Sequence, residues 1–185
     1  MVRLFHDGSA RVSCAINREA EMSTAVPIVR NEGEGERVWF FGGGVHVWKA
    51  GAEETGGALL LFEDILEAGK TTPLHIHPDE DELLYVLDGE ILVHIAGEES
   101  RVGARGVAFA PRGVPHAFLV ISETARILCL ETPASAEAFY RGASVPATED
   151  LEREAPVDLD RLRRSAQGNP GIEIVGPPPF DPFVA

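Results

Sequence analysis

The sequence predicts an all-β fold, a sandwich or barrel, on three observations. First, from Val38 to Thr132 short apolar runs (RVWFF, VHVWKAG, ALLLFEDIL, LHIH, ELLYVL, ILVHIAG, VAFAP, HAFLVI, RILCLE) recur between Gly, Pro and acidic turns. Runs of about 4–8 residues at near-regular spacing, rich in Val, Ile, Phe and Leu, are the pattern of such folds. Second, Asp88-Gly89 between ELLYVL and EILVHI is a hairpin signal, because a type I′ turn requires positive φ. Third, runs such as ELLYVL are apolar on both faces, which predicts cover on both sides by a second sheet, a helix or a partner subunit.

After Thr132 the pattern changes. TPASAEAFYRG reads as a short helix, with Thr132 as N-cap, Pro133 at the first helical position and Gly142 just past the end. DLDRLRRSAQGNP reads as a second, with Leu159, Leu162 and Ala166 on one face, basic residues toward its end, and Gly168 and Pro170 stopping it. Both are too short to stand alone and are expected to dock on the β body. GPPPFDPFVA reads as an extended proline-rich tail. The expected organisation is therefore a flexible N-terminal extension over 1–30, a β-barrel over 31–132, and helices and tail over 133–185 packed on it. Met22 opens a fresh start within the extension, and the first 21 residues read as upstream read-through or a mobile arm.

Composition bounds the partners. With 16 Lys+Arg against 30 Asp+Glu, the formal charge of −14 has the wrong sign for nucleic acid or an anionic membrane. No window approaches the ~18 uninterrupted apolar residues of a membrane span. The N-terminus lacks a secretory signal, and Cys14 and Cys129 form neither a CxxC nor a paired framework, so a soluble protein of the reducing cytoplasm is expected.

Of six histidines, two stand one residue apart in HIHPDEDELLYV. Alternation along a strand puts His75 and His77 on one face, about 6–7 Å apart, where both imidazoles can address a single ion. Glu82 lies an odd number of residues beyond His77, so on one strand it would face the other side unless the PDED segment resets the register with a bulge or turn. His116 follows a Pro/Gly turn and enters another apolar run, with Phe118 and Val120 expected toward the core. The remaining candidates have plainer readings. His46 and His94 are expected at a rim or surface, Asp79, Glu80 and Asp81 as a solvated turn, and Arg112 at an exposed tip without an ion pair. Phe109, Phe118, Leu84 and Val86 read either as cavity lining or as core, and Trp39, Trp48 and Phe41 as subunit contact or ordinary burial.

GKTTPLHIHPDEDELLYVLDG fits G(x)5HxH(x)4E(x)6G at Gly69, His75, His77, Glu82 and Gly89, and PRGVPH fits PxGxxH at Pro111, Gly113 and His116. In both motifs the chain resembles the cupin superfamily, over about residues 38–132. Gly106 falls one place late for the second motif, and Val120 stands where many members have Asn. The TPASAEAFYRG and GIEIVGPPP segments resemble single-cupin bacterial proteins similar to quercetin dioxygenases. The resemblance implies a double-stranded β-helix, a jelly-roll barrel with metal near one mouth, and a homodimer. It implies His75, His77, His116 and Glu82 as metal ligands, with Glu82 either bound to the metal or acting beside it as a proton acceptor. Three imidazoles and one carboxylate suit Fe, Ni, Mn, Co, Cu or Zn without selecting among them. The implied activity is a dioxygenase using dioxygen on a small flat or aromatic enol or catechol. The alternatives are a metal-dependent ligand-binding or sensing cupin without turnover, and a metal-assisted isomerase or lyase.

Overall fold

The computed structural model describes residues 25–148 and 157–181. The expected extension over 1–30 and the tail after 181 therefore lie largely outside the described residues. The described chain runs β1 (Glu36–Phe40), β2 (Val45–Ala50), α1 (Ala52–Thr55), β3 (Leu60–Glu67), β4 (Leu74–Ile76), β5 (Asp81–Asp88), β6 (Glu90–Ile95), β7 (Glu98–Gly103), β8 (Val107–Ala110), β9 (His116–Val120), β10 (Thr124–Thr132), α2 (Glu137–Gly142), β11 (Ser144–Pro146), α3 (Leu159–Ala166) and β12 (Glu173–Gly176). One sheet has the order β11-β1-β2-β3-β10-β5-β8, and the other β12-β4-β9-β6-β7. All ladders are antiparallel, and the two sheets enclose the core as a double-stranded β-helix. The segment after Thr132 adds an edge strand to each sheet as well as two helices: β11 pairs β1, and β12 pairs β4.

Inward side chains fill the space between the sheets, among them Phe62, Val86, Ile91, Val120 and Ile127, each fully buried. Burying a side chain of this size contributes roughly 1.5–3 kcal/mol. Phe118 and Val120 face this core as the sequence predicts. Trp39 and Trp48 are buried within the chain itself. ELLYVL is covered within the described chain on one face. Glu82, Leu84 and Val86 point inward, but Tyr85 and Leu87 on its outer face stay 37% and 39% exposed, beside Val107 and Phe109 of β8 at 56% and 52%. Among the described residues of the single chain nothing covers this second face, which leaves the partner subunit as its expected cover.

The Asp88-Gly89 corner is also different from a simple hairpin. β5 pairs with β10 and β8, whereas β6 pairs with β7 and β9, so the chain changes sheets at Gly89. Gly89 has φ +81°, and a Cβ there would sit 2.2 Å from the Thr124 carbonyl oxygen. The corner is closed by Ser122, whose hydroxyl accepts from the Glu90 N–H at 2.8 Å.

α3 forms where the sequence predicts it. Asp158 caps it by accepting from Arg161 N–H at 2.8 Å, and Leu162 is buried against the body. α2 starts later than predicted, at Glu137, because Thr132 still belongs to β10 and its hydroxyl donates to the Ala58 carbonyl at 2.9 Å. The N–H groups of Ser135 and Ala136, at the entrance of α2, are taken by the Glu80 carboxylate. A cap supplied from 55 residues upstream leaves no local sequence signature. Gly89→Ala is expected to lower unfolding stability by about 2 kcal/mol or more in urea titration, through positive φ combined with the clash on the Thr124 carbonyl.

Candidate metal centre

His75 lies on β4 directly opposite His116 on β9, and His77 follows just beyond the end of β4. Glu82 enters from β5, in the other sheet. The odd spacing between His77 and Glu82 therefore needs no bulge within one strand: residues 77–80 carry the chain across the barrel, and Glu82 meets the histidines from the facing wall. One ligand-type atom from each of the four residues lies within 4.8 Å of the others, and all four are buried. Glu82 Oε2 is 2.5 Å from His116 Nε2 and 3.6 Å from His77 Nε2.

The outer nitrogens fix what the inner ones can do. His75 Nδ1–H donates to the Pro73 carbonyl at 2.8 Å, His77 Nδ1–H to the Gly171 carbonyl at 2.7 Å, and His116 Nδ1–H to the Val114 carbonyl at 2.8 Å. A carbonyl oxygen only accepts, so each Nδ1 carries a proton, and whenever the ring is neutral Nε2 is its lone-pair donor. His77 Nε2 is buried with no hydrogen-bond partner. Three Nε2 atoms converging on a carboxylate need positive charge among them, either protons, as between His116 Nε2 and Glu82 Oε2, or a cation in their place. The donor set thus fits a divalent transition metal and could hold one.

The surroundings strengthen that demand. Burial pushes the Glu131 carboxyl up to about 8, with His77 opposing and the Glu82 and Glu80 charges adding to the rise. Burial disfavours charge on His77, yet Glu131, Glu80 and Glu82 together raise it to about 10. His75, which has lost its water and faces the other two imidazoles, is lowered to about 3. Glu82 is held well below the usual carboxylate range, because the neighbouring histidines, His116 foremost, outweigh its burial. The pocket therefore favours positive charge at its centre. Tyr140 O–H donates to Glu131, and Cys129 Sγ lies 3.4 Å from Glu82 Oε1, with burial raising both its pKa and that of Tyr140.

Several residues with plain readings prove to be structural. Glu80 is fully buried rather than part of a solvated turn, with Oε2 3.4 Å from His77 Nδ1 and Oε1 accepting from the entrance of α2. Asp81 accepts from the backbone and side chain of Arg112, the nearest contact being 2.7 Å, so Arg112 does have an ion-pair partner. His46 is buried, not at a rim: it stacks between Phe40 and Phe62 with centroids at 4.5 and 4.7 Å, and its Nε2 is 2.9 Å from Asp64 Oδ1. His94 is half-buried with Phe180 near it. Phe109 faces outward, Phe118 and Val86 are core, and Leu84 borders a small hollow of about 10 Å³ beside Glu82 and His116.

On the other side the centre meets a cavity of about 310 Å³, reached at His75 and walled by residues such as Phe40, Phe139, Leu162 and Ile172, with Lys70 inside it. Sequence reasoning missed Glu80, Glu131, Lys70 and Gly171. Only Gly171 offered a signal, as one more glycine in GNPGIEI: a Cβ there would lie 2.5 Å from Ala136 N and Ser135 C, so the β12 approach needs glycine to bring its carbonyl to His77. Glu80→Ala is expected to cost about 1–3 kcal/mol in equilibrium unfolding, because it leaves the buried Ala136 N–H without an acceptor. Glu80→Gln, which keeps an acceptor oxygen, is expected to cost clearly less.

With this geometry in hand, comparison with known proteins gives a consistent result. The Cupin domain family matches residues 62–131. Quercetin 2,3-dioxygenase of Bacillus subtilis strain 168 is 34% identical over 118 residues, covering 62% of this chain and 34% of the relative. An uncharacterized protein of Streptomyces coelicolor is 34% identical over 68 residues, covering 37% of this chain and 64% of its own length. The chain thus spans about a third and somewhat under two thirds of these two relatives. Among solved structures, an RmlC-like cupin from Shewanella frigidimarina shares the fold, with TM-score 0.53, 18% identity, and coverage of 60% of this chain and 95% of that one. The family match, the paired sheets and the clustered histidines agree: residues 62–131 match the Cupin domain family, and the fold is that of the cupin neighbours.

Proposed function

We propose that the protein is a metal-dependent cupin oxygenase, a dioxygenase acting on a small flat or aromatic enol or catechol, with His75, His77, His116 and Glu82 as the metal ligands. The observation that carries this reading is the convergence of three Nδ1-tethered imidazoles and one carboxylate in a buried pocket beside an apolar cavity. The similarity to quercetin 2,3-dioxygenase supports the reaction class. A divalent metal bound there would supply Lewis acidity toward a substrate hydroxyl, together with the redox or oxygen chemistry of its element.

The protein's own contribution is positioning, water exclusion and proton handling. The three carbonyl contacts orient the imidazoles with Nε2 aimed inward. Glu82, held ionised by His116 and its neighbours, accepts the hydroxyl proton at Oε2. The apolar walls select a flat, weakly solvated ring and keep bulk water from the reacting atoms. The exposed face formed by Tyr85, Leu87, Val107 and Phe109 suits the contact of a homodimer. No helix among the described residues is long and apolar enough to cross a membrane, and we assign the protein to the cytoplasm.

One observation favours a second reading. An ammonium inside the cavity, at Lys70, is what a metal-assisted isomerase or lyase would use to hold a sugar or keto acid. Oxygen uptake separates the two. Protein stripped of metal and reloaded in turn with Fe(II), Ni(II), Mn(II), Co(II), Cu(II) or Zn(II) is expected to consume oxygen with flavonols, diketones or catechols for at least one metal. Conversion without oxygen uptake would support the isomerase or lyase, and inactivity throughout would contradict both. His77→Ala is expected to lose most bound metal by elemental analysis, and with it the stabilisation of about 2.7 kcal/mol that a metal at about 100 times its Kd confers. Wild-type metal content in that variant would remove His77 from the ligand set.

A further inference from the structure

Among the described residues Lys70 is the one Lys or Arg lining the cavity beside His75, and nothing in the proposed oxygenase chemistry calls for it. It follows Gly69 in the link between β3 and β4, and its backbone is pinned on both sides. Its N–H donates to the Glu67 carbonyl at 3.2 Å, and its carbonyl accepts from Val120 N–H at 2.8 Å. The side chain turns inward instead of extending to water, and its ammonium lies 5.7 Å from the Phe40 ring centroid and 6.0 Å from that of Phe118. The ammonium donates to the carbonyl oxygens of Gly42 and, at 3.4 Å, Thr71. An ammonium has three N–H donors, so one remains for a ligand. No carboxylate among the described residues forms an ion pair with it. Burial lowers its pKa to about 8, with the Asp64 charge opposing the fall.

We propose that Lys70 makes the cavity selective for an aromatic or otherwise flat apolar substrate carrying one anionic group, which the ammonium holds while the ring lies along the apolar walls toward His75. This rests on the reading of the cavity as the substrate site of a metal-dependent oxygenase, and it narrows that substrate class from any enol or catechol to an acidic one. The physical reason is desolvation. A cation among phenyl and aliphatic side chains has given up most of its water and is only partly repaid by two carbonyls. An anion placed there forms a charge-assisted hydrogen bond where few competing waters remain, whereas a neutral isostere gains a weaker one. Sites that hydrogen-bond a polar substrate group discriminate strongly against analogues lacking it, and a buried charge increases that discrimination.

The test uses a matched pair of probes, 2-naphthoate and its neutral isostere 2-naphthamide, titrated calorimetrically into the full-length protein before and after removal of metal by a chelator. Wild type is expected to bind naphthoate at least about tenfold more tightly than naphthamide in both metal states. Lys70→Met and Lys70→Gln are expected to bind the two probes equally, with wild-type metal content by elemental analysis, and Lys70→Arg is expected to keep the preference. A preference that survives Lys70→Met but disappears on metal removal would mean that the acid binds the metal, and would overturn the proposal. So would variants that lose thermal stability while keeping the preference, which would leave Lys70 as a structural tie to the Gly42 turn, or failure of wild type to bind either probe. Metal content is read on the same samples. Loss of the oxygenase reading through absence of metal binding is thereby distinguished from loss of the Lys70 assignment.

Discussion

Three hydrogen bonds from imidazole Nδ1–H to backbone carbonyls are the constraint on which the centre depends. A histidine has two nitrogens, and what one donates decides what the other offers. Pro73 and Val114 lie two residues before His75 and His116, so those two contacts arise wherever the local backbone forms. The third is different: Gly171 lies 94 residues beyond His77. The result is three Nε2 atoms brought together with a carboxylate in a buried pocket, an arrangement that becomes favourable around positive charge.

The charge distribution has the same logic one layer out. Glu80 and Glu131 are both fully buried beside His77, and Glu80 also holds the entrance of α2. Buried carboxylates are costly unless they are paired or hydrogen-bonded. Here their partners are a histidine, a tyrosine hydroxyl and two backbone amides, so the elements that fasten the C-terminal region to the barrel also set the field at the centre. Stability of the fold and electrostatics of the site are therefore one network, and a substitution in either changes both.

Much of this was legible from sequence wherever the cause is local. His75 and His77 fall on one face because strand alternation is a property of adjacent residues, and the α3 cap at Asp158 is a three-residue contact. The motif spacing likewise marked Glu82 and His116. What could not be read are contacts between distant segments. Glu82 seemed out of register because alternation assumes one strand, whereas it sits in the facing sheet. Glu80 reads as a solvated turn residue because the groups that donate to it, the Ser135 and Ala136 N–H, are more than fifty residues away. His46 read as a rim residue since nothing near it in sequence announces the phenyl rings that enclose it. Gly171 contributes only a carbonyl oxygen, a group that every residue possesses.

That carbonyl also has a bearing on how the molecule is made. As the polypeptide emerges from the ribosome, β4, β5 and β9 are all synthesised and free to pair well before residue 171 appears. Until then the His77 ring lacks its contact with the Gly171 carbonyl. The set of four side chains that could hold an ion is thus fully oriented only once β12 pairs with β4.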